Sequence, residues 1–159
     1  MAFSGNFMCT SFQKELLLGV HRFGNADTPD TFKLAMYDNS ASFTAATTAY
    51  TTSNEVSASG SYSAGGGTLS PGGAVTADGT TALADFADLT FTSSTITARG
   101  ALISITSPSA SDAAGSTLTN PTCVVLDFGS NKSSSSGDFT ITFPAASASA
   151  AIIRIAGPS

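Results

Sequence analysis

Residues 95–105 read Thr-Ile-Thr-Ala-Arg-Gly-Ala-Leu-Ile-Ser-Ile and alternate between apolar and polar side chains. A period of two is typical of a β-strand with one buried face. The inward-facing parity at Ile96 is not the parity at Ile103, so the phase shifts by one residue near Gly100. A β-bulge at Gly100 would supply the extra residue. We expect Arg99 to lie beside this kink and to face outward.

Comparable strand patterns lie on both sides of this segment. Strands are predicted at 31–37, 84–91, 123–128, 138–144 and 151–156, with weaker ones near 55–63 and 68–76. The alternation at 31–37 indicates a half-buried strand, whereas the continuous apolar run at 123–128 is typical of a central strand covered on both faces. The residues predicted to face inward at 138–144 are Phe139, Ile141 and Phe143.

Polar, glycine-rich and proline-rich segments are predicted to separate these strands. They are a turn at 38–40, a turn at 65–67, a break at Ser93-Ser94, a long loop at 107–121 and a polar loop at 131–137. The glycines at 65–67 lack the Lys-Ser/Thr ending of a phosphate-binding loop. About seven to nine short strands indicate a single all-β domain over 1–159, a two-sheet β-sandwich or jelly roll.

One helix is predicted at 10–23, within an N-terminal arm and helix at 1–24. Thr10 followed by Gln13 matches a capping box, and Gly24 is expected to end the helix. The apolar stripe that faces a sheet or a neighbouring subunit consists of Phe12, Leu16, Val20 and Phe23.

Composition limits the function. Charged residues make up only 11% of the chain, and the net charge of -5 argues against nucleic-acid binding, which needs clustered Lys and Arg. No run approaches the about 20 apolar residues of a membrane span. The start of the chain lacks the pattern of a secretory signal, so we expect assembly in a cytoplasm. A surface rich in Ser, Thr, Ala and Gly loses little side-chain entropy on contact and favours permanent assembly.

The chain has two cysteines and one histidine, the residue types that most often bind metals or carry redox chemistry. Cys9 and Cys123 do not form the close doublet of a zinc or redox site, so buried free thiols are predicted. A disulfide between them is the alternative and would need an oxidising compartment. His21 is expected to be a surface or helix-cap residue without a function. No catalytic residue, metal site or cofactor is predicted, and an enzyme is not expected.

Two further groups remain open. The acidic candidates are Asp85, Asp88, Asp127 and Asp138, which we interpret as turn and strand-end residues, with a calcium site or a glycan hydrolase centre at Asp85 or Asp88 as alternatives. The tyrosines Tyr37, Tyr50 and Tyr62 are expected to pack in the core or an interface, with a sugar-stacking platform as the alternative.

Several segments resemble one known family. They are Met1-Ala-Phe-Ser-Gly-Asn-Phe, Thr31-Phe-Lys-Leu-Ala-Met-Tyr, Phe86-Ala-Asp-Leu-Thr-Phe, Ile96-Thr-Ala-Arg-Gly-Ala-Leu-Ile, Val125-Leu-Asp-Phe-Gly and Asp138-Phe-Thr-Ile-Thr-Phe-Pro-Ala. Over most of its length the chain resembles a family of short structural proteins of tailed bacteriophages. The family has no catalytic motif to transfer.

The resemblance implies a virion component, with capsid decoration (cement) as the expected function and the major capsid protein as the partner. We expect a homotrimer, since symmetric multivalent attachment strengthens modest contacts. A tail or fibre module that binds a host receptor or glycan is the alternative.

Overall fold

The computed structural model describes residues 3–24, 26, 29–70, 75–106 and 118–158. Over these residues the chain is all-β, with two antiparallel sheets and one short helix near the N-terminus, which confirms the predicted fold class. The elements are β1 (Phe7–Met8), α1 (Thr10–Leu17), β2 (Phe32–Tyr37), β3 (Gly67–Thr68), β4 (Thr76–Asp78), β5 (Thr81–Ala84), β6 (Leu89–Ile105), β7 (Thr122–Ile141) and β8 (Ile153–Ala156).

The two sheets share one apolar core. The larger sheet has the order β1-β7-β6-β2-β3 and the smaller one the order β4-β5-β8. Phe86, between β5 and β6, lies 5.3 Å from the Phe32 ring of the larger sheet and 6.2 Å from the Phe143 ring, centroid to centroid. Ile153 of the smaller sheet is buried in the same cluster. This core joins the sheets into a sandwich.

A long antiparallel ribbon of β6 and β7 corrects two sequence predictions. Ser93-Ser94 does not break the strand, because β6 continues through it with register shifts on either side of Ser94. Residues 131–137 are not a loop but part of β7, paired with β6 residues 94–98. Their side chains are mostly exposed. Backbone pairing with a long partner strand therefore overrides a composition that is typical of loops.

A register shift lies next to Gly100 as predicted, but the extra residues belong to β7 and not to β6. Ala98 pairs with Lys132 and Gly100 pairs with Asp127, so Arg99 alone lies opposite residues 128–131. Arg99 does not simply face outward. Its side chain is only 17% exposed and forms an ion pair with Asp127.

β2 is covered on both faces, so the prediction of a half-buried strand is wrong. The chain that follows β2 folds over its second face. The Phe43 ring lies 4.7 Å from the Tyr37 ring, centroid to centroid, and the Tyr62 hydroxyl accepts a hydrogen bond from the Met36 N–H at 2.9 Å. Alternation alone does not show which later segment will cover the outer face.

The two remaining strong patterns are largely confirmed. Within β7, residues 123–125 are buried between β1 and β6, while 126–128 are partly exposed. In the pattern at 138–144, the residues Phe139, Ile141 and Phe143 are buried as predicted, although β7 itself ends at Ile141. At 84–91 the strand itself begins only at Leu89, and at 151–156 it begins at Ile153.

The middle of the chain differs most from prediction. The weak strand expected near 55–63 is replaced by isolated bridges at Glu55 and Ser59. Of the weak strand expected near 68–76, residues 71–74 lie outside the described residues, and β3 and β4 end and begin on either side of them. The turn at 38–40 is confirmed by a 2.7 Å hydrogen bond from the Ser40 N–H to Asp38. Of the predicted loop at 107–121, residues 107–117 lie outside the described residues.

The helix ends at Leu17 and not at Gly24. Gly19 adopts a φ of 66°, and the Val20 N–H donates to the Glu15 carbonyl at 3.0 Å. This bond closes a Schellman motif, in which a glycine in the left-handed region reverses the chain. The residues after Gly19 therefore fold back beneath the helix.

The predicted capping box is wrong as well. The N-cap residue is Cys9, and its side chain makes no capping hydrogen bond. The Thr10 N–H instead donates to the Ala45 carbonyl at 2.8 Å. A contact with a distant segment, which no local spacing reveals, satisfies the helix start.

Candidate functional site

Three of the four candidate aspartates, Asp85, Asp88 and Asp138, accept hydrogen bonds from backbone N–H groups. Hydrogen bonds run to Asp85 from the Phe86 N–H at 2.9 Å, to Asp88 from the Phe143 N–H at 2.9 Å and to Asp138 from the Ser93 N–H at 3.2 Å. Burial raises the pKa of Asp85. Among the described residues, no group of three or more His, Cys, Asp or Glu side chains could hold a metal ion. These contacts support the interpretation as strand-end residues.

Asp127 holds the N-terminal arm against the bulge. Its Oδ2 accepts from the Gly5 N–H at 3.1 Å, and its own N–H donates to Asn6 Oδ1 at 2.7 Å. Arg99 pairs with the same carboxylate and lies 5.8 Å from the centroid of the Phe3 ring. The hydrogen bond from Arg99 is the main cause that lowers the pKa of Asp127. One carboxylate thus joins the arm, β6 and β7.

We expect Asp127→Asn to remove part of the acid sensitivity of the fold. Because the pKa is lower in the folded state, the carboxylate stabilises the fold above its unfolded pKa of about 3.9, and this is lost as pH falls through the folded pKa. The difference in unfolding free energy between the wild type and the variant should shrink from about pH 5 to about pH 2 in urea titrations. A difference that stays constant over this range would contradict the assignment, with Asp138→Asn as the control that keeps the Arg99 contact.

The Glu55 carboxylate accepts hydrogen bonds from two tyrosine hydroxyls. Tyr50 donates to Oε2 at 2.5 Å and Tyr62 to Oε1 at 2.7 Å, while the Gly65 N–H also donates to Oε1 at 2.8 Å. Burial first, then Glu55, raises the pKa of Tyr50 to about 12 and raises that of Tyr62 further. Tyr37 and Tyr62 are buried. Core packing is confirmed for these two, and no sugar platform can form from the three rings.

A buried ionisable cluster surrounds His21. Its Nε2 lies 2.6 Å from Glu15 Oε2 and its Nδ1 lies 3.4 Å from Asp30 Oδ2, and the three side chains are at most 9% exposed. The Nδ1 contact lacks hydrogen-bond geometry and is electrostatic. The Phe12 ring packs on the imidazole with centroids 5.2 Å apart. The Arg22 N–H donates to Asp30 Oδ2 at 3.0 Å.

The prediction of a surface or cap position for His21 is therefore wrong. The reversal at Gly19 turns His21 under the helix instead of along its outer face. Asp30 reaches the imidazole from the segment just before β2. No periodic spacing joins these residues, although the early glycine was a readable signal for the helix end. The cluster holds α1 and its following segment against the larger sheet.

An apolar groove lies between α1 and the smaller sheet. Its lining residues are Leu16, Phe23, Val75, Ala82, Leu83, Ala84, Ile153 and Ile155. Ile155 is 59% exposed and belongs to the edge strand β8. Leu17 and Leu18, at the helix end beside Leu16, are 90% and 45% exposed. The groove and the helix end next to it thus expose several large apolar side chains.

Comparisons of the chain with protein-family models, with curated proteins and with solved structures found no match. Within the described part of the chain, no helix is long and apolar enough to cross a membrane. The chemistry of the groove and of the buried clusters is therefore the basis for a functional interpretation. Within the described residues, the groove differs from the buried clusters in that it exposes apolar side chains.

Proposed function

We propose that this chain is a capsid decoration (cement) protein of a tailed bacteriophage, which stabilises the head by bridging major capsid subunits. The observation that carries the proposal is the apolar groove, whose lining includes the exposed Ile155 and the helix residue Leu16, next in the chain to the exposed Leu17. Burying such side chains against a partner gains about 25 cal/mol for each Å² of apolar surface removed from water. Attachment at the groove would remove its exposed apolar side chains from water.

The polar groups support a structural function and not a catalytic one. Glu55 binds two tyrosine hydroxyls, and Asp127 binds Arg99 and the arm, so each is occupied by contacts that hold the fold. General acid–base catalysis instead needs a titratable group within reach of a substrate. The net charge of -5 also disfavours DNA as the partner. We infer a protein that works by contact.

The proposal includes the location and assembly of the protein. It would be made in the host cytoplasm and incorporated into the virion as a homotrimer, since symmetric attachment at several points turns weak contacts into stable ones. Small Ser, Thr, Ala and Gly side chains on the surface reduce the entropic cost of such permanent contacts. The resemblance to short phage structural proteins points in the same direction.

The deciding experiment is to quantify the chain in purified virions of the phage that encodes it, by mass spectrometry relative to the major capsid protein. A decoration protein should be present in hundreds of copies. A handful of copies would contradict decoration and favour the tail or fibre module. A whole-particle density map then locates the chain.

We expect Leu17→Ser and Ile155→Ser each to weaken attachment to particles that lack the protein by about tenfold or more, because hot-spot side chains contribute above 1 kcal/mol. Both residues are exposed, so the melting temperature should change little. Lys132→Ser, an exposed site on the β6–β7 ribbon, is the matched control and should bind normally. Wild-type occupancy by both groove variants would show that the groove is not the attachment surface.

A further inference from the structure

The two cysteines meet across the β1–β7 pairing. Met8 pairs with Val124 in the antiparallel register, and one more step along the strands places Cys9 opposite Cys123. The Cys9 N–H donates to the Cys123 carbonyl at 2.9 Å, which continues the ladder beyond β1. Two residues that are far apart in the sequence are therefore direct cross-strand neighbours.

The backbone geometry fits a disulfide. Opposed residues of an antiparallel ladder have Cα atoms about 4.5–5.5 Å apart and side chains on one face, within the usual disulfide range of about 4.4–6.8 Å. Both thiols are free and fully buried, as predicted. Among the causes that raise the pKa of Cys123 is the neighbouring Cys9 thiol, which follows burial in importance.

We propose that Cys9 and Cys123 form a disulfide under oxidising conditions and thereby fasten the N-terminal arm covalently to β7. With oxidised glutathione as the oxidant, one cysteine thiolate attacks the glutathione disulfide and releases one glutathione thiolate. The second cysteine thiolate then attacks the protein sulfur of the mixed disulfide and releases the other. The two protons lost by the cysteines pass to the two glutathione thiolates, so one disulfide is reduced as one forms.

Burial controls the rate of this reaction. It raises the pKa of both thiols, and the thiolate is the attacking species. The arm must also open locally before glutathione can reach Cys9, and β1 offers only two paired residues to hold it. Oxidation should therefore be slow at neutral pH and faster at alkaline pH.

The experiment incubates the full chain in glutathione buffers of increasing oxidised fraction, then blocks the remaining thiols with N-ethylmaleimide and measures intact mass. We expect conversion from a doubly alkylated monomer to an unalkylated monomer, whose mass is that of the reduced, unalkylated chain less two hydrogen atoms. The oxidised chain should melt about 5–15 °C higher, since the bond closes a long loop. Addition of dithiothreitol should reverse both changes.

Cys9→Ser is the matched variant, because serine is a favoured N-cap residue and should preserve α1. It should accumulate at most a mixed disulfide with glutathione and show no rise in melting temperature. Two alkylated thiols in the wild type under the most oxidising buffer, a stable glutathione adduct or a disulfide-linked dimer would overturn the proposal. None of these results depends on the proposed attachment to a capsid.

Discussion

His21→Ala is expected to lower the unfolding free energy by about 3–5 kcal/mol, which is the usual cost of removing one partner from a buried pair of ionisable side chains. Both ring nitrogens face carboxylate oxygens, of Glu15 at 2.6 Å and of Asp30 at 3.4 Å. Alanine would leave these two buried carboxyl groups without the imidazole that contacts both and would remove the packing against Phe12. Urea unfolding of the two proteins gives the difference directly.

Two further variants separate charge from packing. Lys14→Ala, on the exposed face of the same helix, should change stability by no more than about 0.5 kcal/mol. Adding Glu15→Gln to His21→Ala removes one of the two carboxylates and should restore about 1 kcal/mol or more. Equal stability of the single and the double variant would show that lost packing, and not an uncompensated charge, explains the effect.

The end of α1 shows what sequence periodicity does and does not determine. Phe12, Leu16 and Phe23 contact the core, and Val20 is buried, as the apolar stripe predicted. Only Phe12 and Leu16 lie on the helix, because the chain reverses at Gly19 and the other two are buried by another path. An apolar pattern thus identifies buried residues more reliably than it identifies the element that carries them.

The β6–β7 ribbon shows the same division within a sheet. Strict alternation predicted the inward residues Phe139 and Ile141 correctly, and the phase shift indicated the place of a register shift next to Gly100, but not that its extra residues belong to β7. Residues 131–137 are nevertheless a strand, since their backbone pairs with β6 although their side chains stay in solvent. Pairing with a distant strand is a tertiary effect that local composition does not encode.

The sequence alone predicted even less of the candidate sites than of the fold. The cluster at His21 needs Asp30 to approach across a reversed chain, and the docking of the arm needs Asp127 to meet Gly5. Each arrangement depends on a single contact, and no repeat or spacing in the sequence could reveal that contact. The apolar character of Leu16 and Ile153 was readable, but their meeting in one groove required the fold.

Gly66→Ala is expected to destabilise the protein by about 3 kcal/mol or more, because it combines a backbone clash with an unfavourable backbone conformation. A Cβ at this position would lie 1.8 Å from the Leu34 carbonyl oxygen and 2.7 Å from the Ala35 Cα. These atoms belong to β2, whose pairing with β3 begins at the neighbouring Gly67. The φ of 73° at Gly66 adds the strain of the left-handed region. Relief of the clash requires β2 and β3 to separate.

Gly79→Ala is the matched control for this clash. Gly79 also has a positive φ, of 57°, but a Cβ there would meet no atom within 4 Å. It should therefore cost only the conformational strain, about 1 kcal/mol, and the excess loss at Gly66 measures the close approach to β2. Similar losses in both variants would show that the segment around Gly66 moves away from β2 at little cost. A large excess would instead establish that the triple glycine is required for packing against β2, in addition to forming the turn that its sequence predicts.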